Sequence, residues 1–236
     1  GAAIALMHAG VEKFFVVDRE TVGASFAKWP AETRFITPSF PSNSIGMLDL
    51  NSIAVGVSPA FSMKVEHPTG QQYAQHLNNL ATFFEIPILE HTNVNAIEKH
   101  DDLFHLHFDE GSFMTKNVIW AAGEFQYPKK DAFEGAELCR HTATVPSYAD
   151  LDGDDFLIIG GYESGVDAAY HLADNGKKVH VFDRTDPWGE GSSNPSIALA
   201  TFTIERTRHA CFSEHVTLHA NNGVERVTFS NGMYEL

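Results

Sequence analysis

Cysteine is nearly missing from this chain. Cys139 and Cys211 are the two cysteines among 236 residues. They form no CxxC pair, which excludes a disulfide scaffold and leaves no dithiol centre visible. Positive charge is also scarce. Sixteen Lys and Arg stand against 31 Asp and Glu, a formal net charge of −15. Such a chain suits neither nucleic acid nor an anionic membrane surface as main partner, although backbone N–H groups can still hold a phosphate. No apolar run is long enough to span a bilayer and no signal-peptide pattern appears, so a cytoplasmic protein is expected. The 13 histidines show no spaced ligand cluster, and no metal is expected. Hydrophobic content of 43% and charged content of 20% fit a globular chain with one large or two modest domains.

What is present centres on residues 156–184. Phe156 to Ile159 is a short apolar run that suits a buried strand of a parallel sheet. It runs into glycines at 160, 161 and 165, then into a helix with Val166, Ala169, Tyr170 and Ala173 at helical spacing. Asn175-Gly176 stops that helix, and Lys178 to Phe182 forms a second strand ending on Asp183. Strand, turn, helix and strand make up a βαβ unit of about 30 residues. The turn aims the unpaired N–H groups of the helix, and the positive end of its dipole, at a pyrophosphate. Asp183 follows Gly165 by 18 residues (183 − 165), where a carboxylate accepts from ribose hydroxyls. The alternative is an ordinary βαβ packing turn. Tyr162 departs from the pattern, because it stands where the middle glycine would let the backbone approach the pyrophosphate. Asp183 favours NADH, while Arg184 beside it could meet the extra phosphate of NADPH.

The opening of the chain repeats the device. Gly1 to Ala9 reads as the helix half of a second dinucleotide turn, with Gly1 as its third glycine. Phe14 to Val17 is a strand ending on Asp18-Arg19, and Asp18 follows Gly1 by 17 residues (18 − 1). Two copies imply two nucleotide sites. A start at Gly1 without Met, straight into a helix, is expected of a fragment.

The irregular segment that follows is rich in Pro, Ser and aromatics, as binding loops are. An acidic strand end, the Gly23 to Trp29 loop and Thr37-Pro38-Ser39 together resemble the FAD domain of flavin-containing monooxygenases. The resemblance covers nearly the whole chain. It implies an α/β fold with two Rossmann-like domains, each a three-layer βαβ arrangement with a parallel sheet. The FAD-binding domain would be 1–150, lacking its first strand and C-terminal return. The NAD(P)-binding domain would be 151–236, incomplete.

By the same resemblance, Asp18 with Arg19 meets the adenosine ribose of FAD. Gly1 belongs to its glycine turn, and Gly23, Ser25, Phe26 and Trp29 lie along the cofactor. Thr37, Pro38 and Ser39 pass near the flavin, and the backbone at Val94 meets the adenine. Ala121, Ala122 and Gly123 resemble the small-residue segment that passes close to FAD. Phe133, Gly135 and His141 resemble the Phe-x-Gly-x-x-x-His fingerprint with two extra residues, and Cys139 stands at the strict count. The NAD(P) set is Gly160, Gly161, Tyr162, Glu163, Ser164, Gly165, Asp183 and Arg184.

Elsewhere the patterns read as structure. His67 to Phe84 predicts a helix with Thr69 as N-cap and an apolar stripe of Tyr73, Leu77, Leu80, Ala81 and Phe84. Ile88-Leu89 and Val94 to Ile97 predict strands, and Leu103 to Phe108 alternates. His105 and His107 share one face, which we read as solvated strand for want of a third ligand. Ser196 to Ala210 predicts a helix capped by Asn194 or Ser196. Val216 to His219 and Gly223 to Phe229 predict closing strands.

The resemblance thus implies an FAD-dependent NAD(P)H oxidoreductase, using NADP or NAD. As a monooxygenase, it would oxidise a small molecule with O2. The rivals are a flavin-dependent disulfide or quinone reductase without CxxC, and a non-catalytic nucleotide-binding flavoprotein motivated by Tyr162. No catalytic residue beyond the cofactors is assigned. Small-molecule substrate and O2 are the expected partners, with a homodimer left open.

Overall fold

The computed structural model describes residues 1–40, 49–189 and 197–236. Contacts divide them into two compact units, Gly1–Ala27 with Ser39–Gln126, and Lys28–Pro38 with Tyr127–Leu236. The chain therefore visits the second unit early, leaves it and returns.

In the first unit, α1 (Ala2–His8) buries Ile4 and leads through Gly10 to β1 (Val16–Val17). The turn α2 (Ala24–Ala27) precedes α3 (Pro59–Ser62), capped by Ser58, and the long helix α4 (Gly70–Phe83). The α3 turn lies in a stretch whose sequence shows no periodicity. Thr69 caps α4 as expected, and Gln72 returns the bond to complete a capping box. Tyr73 and Leu80 of the expected stripe are buried, joined by Ala74 and His76. β2 (Ile88–Leu89) pairs with β1 in parallel, Val16 opposite Ile88. Three antiparallel strands follow, β3 (Val94–His100), β4 (Leu103–Phe108) and β5 (Gly111–Thr115). Alternation in β4 turns Leu106 inward. Asn117 to Trp120, though apolar, forms no strand, and Ile119 and Trp120 are exposed.

The second unit is built on β6 (Asp155–Ile159), β7 (Lys178–Phe182) and β8 (Val216–His219), parallel and in that order. Helix α5 (Glu163–Asp174) connects β6 to β7 and ends at Asn175-Gly176, with Gly176 at φ +75. Val166, Ala169 and Leu172 of α5 pack on Val179 and Val181 of β7, with Tyr148, Leu199 and Phe212 completing the core. Each large side chain so buried contributes about 1.5–3 kcal/mol. The single helix expected from Ser196 to Ala210 is instead two, α6 (Thr201–Thr207) and α7 (Ala210–His215). His209 is the extended N-cap that breaks them. The caps considered at Asn194 and Ser196 lie outside the described residues. The strand expected over 223–229 is shorter and later, β9 (Thr228–Ser230) paired with β10 (Met233–Glu235).

Candidate functional site

The turn between β6 and α5 is held by close backbone packing. Gly160 has φ +97, a conformation that disfavours any side chain. A Cβ on Gly165 would stand 1.8 Å from the Gly160 carbonyl oxygen, so helix and strand meet at a distance only glycine allows. At Gly161 an added Cβ would fall 2.0 Å from the Trp188 ring. The Gly160 N–H donates to the Phe182 carbonyl (2.8 Å), and the Gly161 N–H donates to Asp183 Oδ2 (2.8 Å).

Asp183 thus braces the turn from the end of the next strand. Its Oδ1 accepts from the Thr185 N–H (2.8 Å) and hydroxyl (2.7 Å). Partial burial pushes this carboxyl up, but bonds from Thr185 and Gly161 outweigh it and hold the group below its ordinary range. It is an acceptor at neutral pH, as a ribose hydroxyl requires. Arg184 beside it is exposed.

Two turn residues are engaged elsewhere in the same unit. The Tyr162 hydroxyl donates to the Ala198 carbonyl (2.7 Å). Glu163 accepts from the Ala200 N–H (2.6 Å) and from the Thr203 hydroxyl, so its carboxylate caps α6. Ser164 is exposed. Behind them, α5 carries a buried charge cluster that the sequence reading missed. Asp167 pairs with Arg206 and accepts from the Thr33 hydroxyl (2.6 Å), while His171 Nε2 lies 3.5 Å away. Burial raises this carboxyl and its donors lower it, with a net downward shift.

The first unit holds the other acidic strand end. The Asp18 N–H donates to the Leu89 carbonyl (3.0 Å), and Asp18 Oδ1 accepts from the Glu20 N–H (2.8 Å). Arg19 lies 3.8 Å from Glu20 on the exposed side. Gly1 is exposed ahead of α1. Gly23, at φ +81, lets the loop press on α4, where a Cβ would come 2.8 Å from the Ala74 Cα. Phe26 packs edge-on against Tyr73 (4.8 Å), and Ser25 is exposed. Ser39 is buried, with its N–H donating to the Glu66 carbonyl (2.7 Å) and its Oγ accepting from Asn51 (2.8 Å). Val94 opens β3, and Ala121, Ala122 and Gly123 (φ +70) are exposed without regular structure.

Trp29, Thr37 and Pro38 belong to the second unit, where Trp29 packs on Phe35 (5.0 Å). The loop 23–39 is therefore shared between the two units. His141 spends Nδ1 on the Ala143 N–H (3.1 Å), capping a short 3-10 turn. The Cys139 thiol is pushed up by burial and by Glu137, away from the reactive thiolate. Glu98 lies 3.6 Å from His107 and 3.1 Å from His100, and the His105 ring meets that of His100 edge-on at 5.0 Å. Among the described residues no three such groups are placed to hold a metal ion. Nor is any described helix long and apolar enough to cross a membrane.

The family model for pyridine nucleotide-disulphide oxidoreductases matches residues 1–236. Ferredoxin–NADP reductase 3 of Lysinibacillus sphaericus (strain C3-41) is 34% identical over 122 residues, covering 50% of this chain and 35% of that protein. Little more than a third of that curated relative is thus spanned. Bacillithiol disulfide reductase Bdr (YpdA) from Staphylococcus aureus aligns with a TM-score of 0.72 at 18% identity, covering 99% of this chain and 68% of that one. A flavin monooxygenase from Stenotrophomonas maltophilia aligns with a TM-score of 0.60 at 14% identity, covering 89% and 64%. At such identities the structures speak to fold alone, and the fold is α/β with Rossmann-like dinucleotide-binding units.

Proposed function

We infer function from family: the chain belongs to the pyridine nucleotide-disulphide oxidoreductase family, and we propose that it is an FAD-dependent oxidoreductase reduced by NAD(P)H. The observation that carries this reading is the turn 160–165, closed at a spacing only glycine permits and braced by Asp183. The residues fit the nucleotide. A helix of 12 residues starts at the turn, and an ionised carboxylate stands at the next strand end. We assign NAD(P)H to 151–236, through Gly160, Gly161, Gly165, Asp183 and Arg184. Tyr162, Glu163 and Ser164 line that turn. FAD is assigned to 1–150, where the parallel pair β1–β2 ends on Asp18. Gly1, Arg19, Gly23, Ser25, Phe26, Ser39, Val94, Ala121, Ala122 and Gly123 of the first unit would complete its surroundings, while Trp29, Thr37, Pro38 and His141, which the resemblance also gives to FAD, belong to the second unit.

A bound flavin would supply the redox chemistry, hydride acceptance and onward electron transfer, which the chain's own residues do not carry. The chain's part is to bind, orient and exclude water. Asp183 takes no proton in this scheme, since its task is to accept from the ribose. For the onward acceptor we propose O2 with a small-molecule substrate, as in the monooxygenases that the loop 23–39 resembles. A second reading has its own support. The Lysinibacillus relative is by name a ferredoxin–NADP reductase, and the Staphylococcus neighbour is by name a bacillithiol disulfide reductase.

The test is to reduce the flavin anaerobically with NADH and NADPH in parallel, then admit 18O2 with candidate sulfides and amines. Label in the product supports the monooxygenase. Reduction of ferredoxin or a disulfide without label supports the reductase. Failure of both coenzymes to bleach the flavin rejects the common reading.

A further inference from the structure

We propose that Trp188 is a nucleotide-contact residue whose indole N–H donates to a diphosphate oxygen of the pyridine dinucleotide on the turn 160–165. The inference rests on the NAD(P)H assignment above and names a donor that the glycine pattern does not contain.

Three observations carry it. First, Trp188 is seated on the turn itself. The ring atoms nearest an added Gly161 Cβ would be Cζ2 at 2.0 Å, Cη2 at 2.8 Å and Cε2 at 2.9 Å. Nε1 is bonded to Cε2, so the indole N–H lies on the same ring edge that meets the glycine. Second, that nitrogen is buried and has no hydrogen-bond acceptor among the described residues. An indole N–H can only donate, and leaving a buried donor unmet is costly enough that such groups in native proteins call for an explanation. Third, the site is one where an acceptor is expected and one of the turn's own donors is already engaged. Tyr162 stands at the middle glycine position, and its side chain is tied to Ala198. The Gly161 N–H is already spent on Asp183. A donor reaching the turn from the loop after β7 replaces what the turn's own backbone has given up. The position of Trp188 is itself held, because the neighbouring Gly189 N–H donates to Asp186 Oδ1 (2.9 Å).

The chemistry selects the ligand. A diphosphate offers unprotonated oxygens at neutral pH, and a bond from a neutral donor to such an anion is among the stronger kind. A ligand with the adenosine half but no diphosphate would not engage the indole.

The experiment uses the flavin-loaded protein, wild type and Trp188→Phe, which keeps an aromatic ring and removes the N–H. Affinity for NADP+, ADP-ribose and 2′-AMP is measured by calorimetry. Trp188→Phe is expected to weaken NADP+ and ADP-ribose about ten- to a hundredfold, the loss of one hydrogen bond to a charged group, and to leave 2′-AMP within twofold. A second readout does not depend on the variant. In protein carrying 15N-indole tryptophan, the Trp188 N–H signal is expected to move downfield with ADP-ribose and to stay put with 2′-AMP. Equal weakening of all three ligands, or unchanged NADP+ affinity with an unmoved indole signal, overturns the inference while sparing the nucleotide assignment. If the wild-type protein binds neither NADP+ nor ADP-ribose, both fall.

Discussion

Gly165→Ala isolates the turn. The substitution has two opposed effects. Alanine is a better helix former than glycine, which favours the variant by about 1 kcal/mol. The new methyl, however, would sit 1.8 Å from the Gly160 carbonyl oxygen, where real Cβ atoms stay beyond 3.0 Å. The two must part by about 1.2 Å (3.0 − 1.8), and the obstacle is backbone. Overpacking of that kind costs about 1–3 kcal/mol, so net stability falls by about 0–2 kcal/mol. At about 2–4 °C per kcal/mol for a chain of this size, the melting temperature drops by less than about 8 °C. The functional cost is larger, because the carbonyl pushed aside belongs to the turn that we assign to the diphosphate. Anaerobic stopped-flow reduction by NADPH should show an apparent Kd raised by about ten- to a hundredfold, the loss of one hydrogen bond to a charged group, with flavin content unchanged. Gly176→Ala is the control. It sits at φ +75 with nothing within 4 Å, so it costs about 1–2 kcal/mol through the left-handed backbone alone and should leave nucleotide affinity untouched. Unaltered affinity in Gly165→Ala, or equal loss in both variants, refutes the reasoning.

Three other expectations can be checked together. Asp167→Ala strands the buried Arg206 charge and should cost about 3–5 kcal/mol in urea unfolding, with Asp167→Ala/Arg206→Met recovering more than half. Burial lowers the pKa of His76 below 6.5, with Asp49 opposing. The neutral form is therefore the folded one, and its stabilisation is complete above the unfolded pKa and declines as pH falls below it. Urea melts from pH 7.5 to 5 should lose stability, and His76→Gln should flatten that slope. Cys139 and Cys211 both carry raised thiols, by burial first and then by Glu137 and Asp174 respectively. Replacing both with Ser should leave flavin reduction by NAD(P)H unchanged, and a loss beyond threefold would show a thiol in the path.

Legibility followed the range of the forces involved. The unit from β6 to Asp183 could be read because strand, glycine, helix and stop signals are local and adjacent in sequence. Thr69 and the alternation of Leu103 to Phe108 were readable for the same reason. Glu163 was assigned to the turn by position, yet it caps a helix through Ala200, and a bond across 37 residues leaves no periodic trace. Trp188 escaped notice because an aromatic in a Gly-rich loop carries no pattern until Gly161 is seen beneath it. The break at His209 was missed because helical spacing continues through it.

The early visit of residues 28–38 to the second unit has a consequence in time. The Thr33 hydroxyl meets Asp167 across 134 positions of chain, and Glu32 meets Ser147 across 115. At about 5–20 residues per second of synthesis, Thr33 leaves the ribosome roughly 7–27 s before Asp167. During that interval residues 28–38 wait for partners that have yet to be made. The order in which the ribosome delivers this molecule is thus not the order in which it can be finished.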